Sequence, residues 1–189
     1  MSRLLAPFAA MLITLSLIVP AASPALAQQG EPVLLTVTGA IKTTNRGPFD
    51  PFRDSLFETL KETFKAAFAF DRAALLALPQ ATITTKYPNW PTKVTARGPL
   101  LKDVLAAVGA DGNRVRVQAL DGYAPEFTMA DITAGTVVLA LEADGQPLSI
   151  GGRGPLWLVF PPNSIAGQST EDDSGLAWAV FHLAVDSSK

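Results

Sequence analysis

Alternating apolar and polar positions that begin at Val33 predict a strand. Val33, Leu35 and Val37 alternate with neighbours such as Thr36, and a period of two in β-branched residues is typical of a β-strand. A proline precedes the stretch, and an Asn-Arg-Gly-Pro turn sequence follows it. We therefore expect a strand over residues 33–41.

After this strand, apolar residues recur at spacings of three and four positions, which predicts an amphipathic helix. Asp54 or Ser55 is a suitable N-cap. The apolar side is formed by Leu56, Phe57, Leu60, Phe64, Ala67 and Phe68, and the charged side by Glu58, Lys61, Glu62 and Lys65. Because this spacing is typical of helix packing, we expect the phenylalanines in the core and not in an aromatic ligand site.

Shorter patterns predict the remaining elements. Residues 71–78 favour a short helix that Pro79 ends, and residues 99–109 favour another that begins at a proline and ends at a glycine. Residues 86–93 contain two prolines and predict a loop. Strands are expected at 81–85, 115–119, 137–141, 156–160 and 178–185. Together these elements predict an α+β fold with a single mixed-sheet domain.

The first 27 residues have the pattern of a secretory signal peptide. Arg3 gives a positive start, residues 12–19 are mostly apolar, and Ala25-Leu26-Ala27 is an A-x-A cleavage site. The apolar run is shorter than the roughly 20 residues that span a bilayer. We therefore expect export to a bacterial periplasm, a mature domain over residues 28–189 and no membrane span in the mature chain.

Composition narrows the chemistry of that domain. The chain has no cysteine, which excludes disulfides, zinc-thiolate sites and cysteine nucleophiles. Loss of Arg3 with the signal peptide lowers the 15 basic residues to 14, against 17 acidic residues, so the net charge is about −3. This dispersed charge argues against a nucleic-acid-binding protein, which would present a basic face.

A series of glycine- and proline-containing motifs carries a family resemblance. In chain order they are Thr38-Gly39, the segment 74–80, Gly98-Pro99-Leu100-Leu101, Asp121-Gly122-Tyr123, Asp144-Gly145-x-Pro147-Leu148 and Gly154-Pro155-Leu156-x-Leu158-Val159-x-Pro161. With these motifs, residues 33–185 resemble the sulfite-oxidase-type molybdopterin-binding domain. More specifically, they resemble its small periplasmic, cysteine-lacking relatives that bind pterins. The resemblance implies a mixed-sheet fold of this type.

The departures from the family pattern concern its cofactor. The enzymes place a metal-binding cysteine where residues 82–86 here read Thr-Ile-Thr-Thr-Lys, and neither a hydroxyl nor an ammonium replaces a thiolate on molybdenum. Gly152 and Trp157 stand where the enzymes carry a histidine and an arginine for the cofactor phosphate, with Arg153 displaced by one residue. The resemblance therefore implies a pterin pocket without the metal ligand.

The resemblance and the chemistry of a pterin ring together imply a set of binding residues. Faces on which the ring can stack are offered by Tyr87, Trp90, Tyr123 and Trp157. Asp121 is the expected acceptor for the amino and N–H edge, because a carboxylate has two acceptor oxygens. Donors for the ring and side-chain oxygens are expected among Thr85, Asn89 and Arg153.

Several of these residues also have structural interpretations. Asp121 precedes a glycine, as in many turns, and Trp157 begins a strand pattern that is typical of the core. Trp90, between two prolines, has no periodic reason to be buried. His182 is expected to be structural, and the acidic run at 171–173 to be solvated.

Three function classes remain open at this point. The resemblance favours a periplasmic pterin-binding protein that signals its ligand state to a membrane-bound cyclic-di-GMP synthase or phosphodiesterase by protein contact. Residues 49–70 or 163–175 would be the contact surface. The alternative is a molybdopterin-dependent oxidoreductase, or a subunit of one, whose molybdenum has no protein cysteine ligand. The third is a structural or assembly factor without a small ligand.

Overall fold

The computed structural model describes residues 31–187, where it has eleven strands and four helices. The predicted signal peptide at 1–27 lies outside the described residues. The strands are β1 Val33–Gly39, β2 Phe68–Asp71, β3 Gln80–Thr85, β4 Val94–Pro99, β5 Arg114–Ala119, β6 Glu126–Thr128, β7 Val138–Ala140, β8 Glu142–Ala143, β9 Gln146–Pro147, β10 Trp157–Val159 and β11 Val180–Asp186. The helices are α1 Ser55–Thr59, α2 Arg72–Ala77, α3 Leu101–Ala107 and α4 Met129–Ala134. The fold is therefore mixed α+β, as expected, and none of the helices described is long and apolar enough to cross a membrane.

Five strands form a mixed sheet in the order β2-β1-β11-β5-β6. β1 runs parallel to β11, and every other neighbour in this sheet is antiparallel. Val37, Leu183 and Val117 are in register across three strands and are fully buried. This apolar row supplies one side of the hydrophobic core.

Two smaller sheets and α3 complete that core. The strands β3, β4, β8 and β9 form an antiparallel sheet, and β7 pairs with β10. A Cβ on Gly98 of β4 would lie 2.1 Å from the carbonyl oxygen of Leu139 in β7, so this close approach of two backbones requires glycine. Leu101, Val104 and Leu105 of α3 belong to the same buried cluster as residues of these sheets.

The outer edge of the five-stranded sheet at β2 is closed by a side chain. The Asn45 amide donates to the carbonyl oxygen of Ala69 at 3.0 Å and accepts from its N–H at 2.7 Å. Asn45 therefore satisfies backbone groups that an edge strand usually leaves unpaired.

The helix predicted over residues 55–68 is wrong beyond its first turn. α1 ends at Thr59, Lys61 has a positive φ of 59°, and Phe68 lies in β2. The extended chain pairs with β1, and this long-range ladder outweighs the helical spacing. Phe57 and Phe64 still contact each other, with ring centroids 5.4 Å apart in an edge-to-face arrangement, so the expected aromatic packing is present without the helix.

The second face of the five-stranded sheet carries buried polar residues beneath residues 45–64. Thr36, His182 and Gln118 form one row across three strands, and all are buried. The His182 Nε2 lies 2.8 Å from the Thr38 hydroxyl, and Arg46 donates to the Thr36 hydroxyl at 2.7 Å. Burial lowers the pKa of His182 to about 4, so the imidazole is neutral at pH 7. The structural role predicted for His182 agrees with these contacts.

Candidate binding site

Three of the aromatic residues predicted to face a ligand form a buried cluster. The ring centroids of Tyr87 and Trp90 are 5.3 Å apart, and those of Trp90 and Trp157 are 5.4 Å apart. The exposed fraction is 6% for Trp90 and 1% for the other two. The Tyr87 hydroxyl donates to the carbonyl oxygen of Phe160 at 3.0 Å, and burial raises the Tyr87 pKa to about 12. The expectation that Trp90 lies outside the core is therefore wrong.

Asp173 explains why Trp90 is buried in a loop that has no periodic pattern. Its carboxylate accepts from the Asn89 amide at 2.7 Å and from the Trp90 indole N–H at 2.8 Å. The Arg153 guanidinium lies 3.6 Å from the same carboxylate and stacks 4.4 Å above the Trp157 ring. Asp173 thus joins three chain segments, and the prediction of a solvated acidic run is wrong for this residue.

The charge of Asp173 is stabilised at this junction. Burial opposes its ionisation, but the hydrogen bonds from Asn89 and Trp90 and the charge of Arg153 outweigh burial and lower the pKa of Asp173. The positive charge of Arg153 is therefore already balanced within the protein.

Asp121 and Tyr123 lie beside this junction in an open turn. One Asp121 oxygen accepts from the Tyr123 N–H at 3.0 Å, and Gly122 between them has a φ of 92°, a value that favours glycine. The Tyr123 hydroxyl donates to the carbonyl oxygen of Ser174 at 2.6 Å. Among residues 31–187, the other Asp121 oxygen has no hydrogen-bond partner, so it is available to a ligand.

Two open depressions lie on either side of Trp178. The first, of about 320 Å³, is lined by Asp121, Tyr123, Asp173, Ser174, Leu176 and Trp178. The second, of about 300 Å³, is lined by Leu120, Asp121, Ile150, Gly151, Gly152, Gly154, Trp178 and Ala179. We call these two depressions and their lining residues the Trp178 surface.

The sequence pattern did not indicate that Trp178 lines an open surface. A strand was predicted over 178–185, which would place Trp178 on one face with His182. In the structure β11 begins at Val180, and Ala179 has a positive φ of 55°. Trp178 is 44% exposed as a result. A positive φ at a residue other than glycine is uncommon and frequently accompanies functional sites.

The eight predicted binding residues therefore divide into groups. Asp121 and Tyr123 line the Trp178 surface. Asn89, Trp90 and Arg153 contact Asp173, which lines one of its two depressions. Two others belong to the buried aromatic cluster, namely Tyr87 and Trp157. Thr85 is buried at the end of β3 and lines neither depression.

These residues do not suit phosphorylated molybdopterin. Its phosphate needs a free cation, whereas Arg153 is paired with Asp173 and stacked on Trp157. A thiolate is absent from the whole chain, and residues 31–187 contain no group of three or more histidine, aspartate or glutamate side chains that could hold a metal ion. We assign no molybdenum chemistry to them.

No protein-family model and no curated protein matches this chain.

Proposed function

We propose that the protein is a periplasmic pterin-binding protein of the sulfite-oxidase fold type that binds its ligand on the Trp178 surface. The observation that carries this proposal is that an exposed indole and a carboxylate with a free oxygen, Trp178 and Asp121, line both depressions. The family resemblance of the motifs supports the choice of a pterin. Pterin is a planar, fused ring whose amino and N–H groups lie along one edge.

The two side chains complement different parts of that ring. Trp178 offers a face on which a flat heterocycle can stack. The Asp121 oxygen that does not accept from the Tyr123 N–H can accept a hydrogen bond from the amino or N–H edge. Asp173 lies in the wall of the first depression, and its carboxylate is already occupied by hydrogen bonds from Asn89 and Trp90 and by the charge of Arg153. Asp121 is therefore the acceptor that remains for the ligand.

A modest affinity is expected because the depressions are open. A pterin ring has roughly a dozen non-hydrogen atoms, and about −0.6 kcal/mol for each gives a binding free energy of about −7 kcal/mol. This corresponds to a dissociation constant on the order of 10 μM.

Titration with oxidised and reduced pterins tests the proposal. We expect saturable binding by calorimetry and a change in tryptophan emission as the ring stacks on Trp178. Asp121→Asn should weaken binding by about tenfold or more, because a hydrogen bond to a charged group is worth about 1.5–3 kcal/mol. Trp178→Phe should keep most of the affinity and lose the emission change, whereas Trp178→Ala should lose both.

The matched control is Asp111→Asn, because Asp111 is an exposed carboxylate paired with Lys42 that lines neither depression. Its affinity should equal that of the unchanged protein. Absence of calorimetric binding at several hundred micromolar would disprove the pterin proposal. Binding that survives Asp121→Asn and Trp178→Ala together would keep the ligand and reject the site.

A ligand on the Trp178 surface would influence a partner protein through the loops that border this surface. The proposed partner is the periplasmic part of a membrane-bound cyclic-di-GMP synthase or phosphodiesterase, as the family resemblance suggests. Tyr123 and Asp173 tie the Trp178 surface to the 163–175 loop, so a bound ligand contacts a segment that a partner can also touch. If the ligand changes partner affinity, the partner must change ligand affinity by the same factor.

One observation favours a second function. The space around Trp90 is filled by the protein's own side chains, namely Tyr87, Trp157, Arg153 and Asp173. A fold that fills this region itself suits a structural or assembly factor without a small ligand. The titration above separates the two functions, because such a factor would bind no pterin.

A further inference from the structure

A separate cavity of about 710 Å³ lies on the polar face of the five-stranded sheet. Its lining residues are Thr38, Gly39, Ile41, Thr44, Glu62, Thr63, Phe64, Lys65, Ala66, Arg116, Ala184 and Asp186. Thr38, Ala184 and Arg116 are in register across β1, β11 and β5. The first two are short side chains, which leaves a hollow between the sheet and the 62–66 segment. None of the lining residues belongs to the Trp178 surface.

The cavity wall contains one ion pair whose two charged groups bind each other. The Arg116 guanidinium makes a bidentate contact with the Glu62 carboxylate, and both side chains are partly buried. The hydrogen bond between them lowers the pKa of Glu62 and raises that of Arg116. These two groups therefore contribute no net charge to the cavity.

Two further charged groups of the wall are not paired. Within residues 31–187, neither the Lys65 ammonium nor the Asp186 carboxylate forms an ion pair. Lys65 lies in the 62–66 segment, and Asp186 is the last residue of β11. Both groups line the same hollow, together with the apolar side chains of Ile41 and Phe64. The Asp186 carboxylate lies close enough to Arg116 to help raise its pKa, but within the described part of the chain it makes no ion pair of its own.

We propose that this cavity binds a small zwitterion that carries one ammonium and one carboxylate, such as an amino acid. The ligand carboxylate pairs with Lys65, and the ligand ammonium pairs with Asp186. Methylene groups between them contact Ile41 and Phe64. A ligand with a single charge would pair with only one of the two wall groups, whereas a zwitterion pairs with both.

A set of straight-chain probes tests this inference by calorimetry. The set comprises ω-amino carboxylates from glycine to 6-aminohexanoate, each compared with the amine and the carboxylate of the same chain length. We expect one chain length to bind at least tenfold more tightly than either singly charged counterpart. Equal binding of the zwitterion and its counterparts at every length, or no binding at 10 mM, would overturn the inference.

Two substitutions test which wall group binds which end of the ligand. Lys65→Gln should reduce the affinity of the best zwitterion to that of the amine, and Asp186→Asn should reduce it to that of the carboxylate. Both residues are exposed, so the fold should be retained. Lys93→Gln and Asp103→Asn are matched controls, since neither residue lines the cavity, and both should leave the affinity unchanged. An unchanged affinity in Lys65→Gln and Asp186→Asn would overturn the assignment even if a zwitterion binds.

Discussion

Replacing Trp90 by alanine is expected to lower the free energy of unfolding by about 3–5 kcal/mol. The side chain is 6% exposed, it contacts the rings of Tyr87 and Trp157, and its indole N–H donates to Asp173 at 2.8 Å. Its removal leaves a cavity in the core and takes one donor from a partly buried carboxylate. Urea denaturation followed by circular dichroism measures the change as a lower midpoint.

Trp178→Ala is the control for this prediction, because it removes the same side chain from an exposed position. We expect its free energy of unfolding to stay within about 0.5 kcal/mol of that of the unchanged protein. The reverse result, a stable Trp90→Ala protein that no longer binds pterin, would show that Trp90 and not Trp178 is the stacking face.

The free energy of unfolding is expected to fall by about 3 kcal/mol as the pH is lowered from 6.5 to 4. His182 is 1% exposed, and burial lowers its pKa to about 4. Between these pH values the unfolded chain binds a proton at this residue and the folded chain does not, so acid favours the unfolded state. The slope should approach 1.4 kcal/mol per pH unit within this window and disappear above it.

The interpretation of that slope is simple because His182 is the only histidine in the chain. Glu62 and Asp173 also have lowered pKa values, and their contributions begin to fall as the pH approaches their usual pKa values of 4.5 and 3.8. Denaturation series at pH 5.5, 6.0 and 6.5 should therefore show the slope in the unchanged protein and lose most of it in His182→Gln. A slope that persists in the variant would assign it to another group.

Local signals were sufficient for much of the fold. The turn residues and β-branched runs correctly predicted β1, β3, β5 and β11, and α2 lies within the helix predicted over 71–78. The structure adds its N-cap, because the Asp71 carboxylate accepts from the Ala74 N–H at 2.7 Å. The predicted helix over 55–68 failed because the partner of β2 is β1, more than 30 residues earlier in the chain. Spacing within a segment contains no information about such a partner.

The site could be predicted only in part, again because some of the contacts that form it join residues distant in sequence. Trp90, Asn89 and Arg153 do lie close together, but the group that joins them is Asp173, which is 83 residues from Trp90 in sequence. An aspartate in an acidic, irregular run has no local feature that distinguishes a junction from a solvated turn. Trp178 was missed because the positive φ of Ala179 ends the strand alternation, and no motif around it predicts that conformation.

The amide of Asn45 has a consequence for the behaviour of the chain in concentrated solution. An open strand edge is a template on which a second molecule can add a strand, and such additions lead to aggregation. Asn45 occupies both backbone groups of Ala69 on the outer edge of β2, so an incoming strand would first have to displace a side chain that makes two hydrogen bonds. Together with the backbone pairing of Arg46 and Ala67 beside it, this amide protects the phenylalanine-rich strand β2 from self-association.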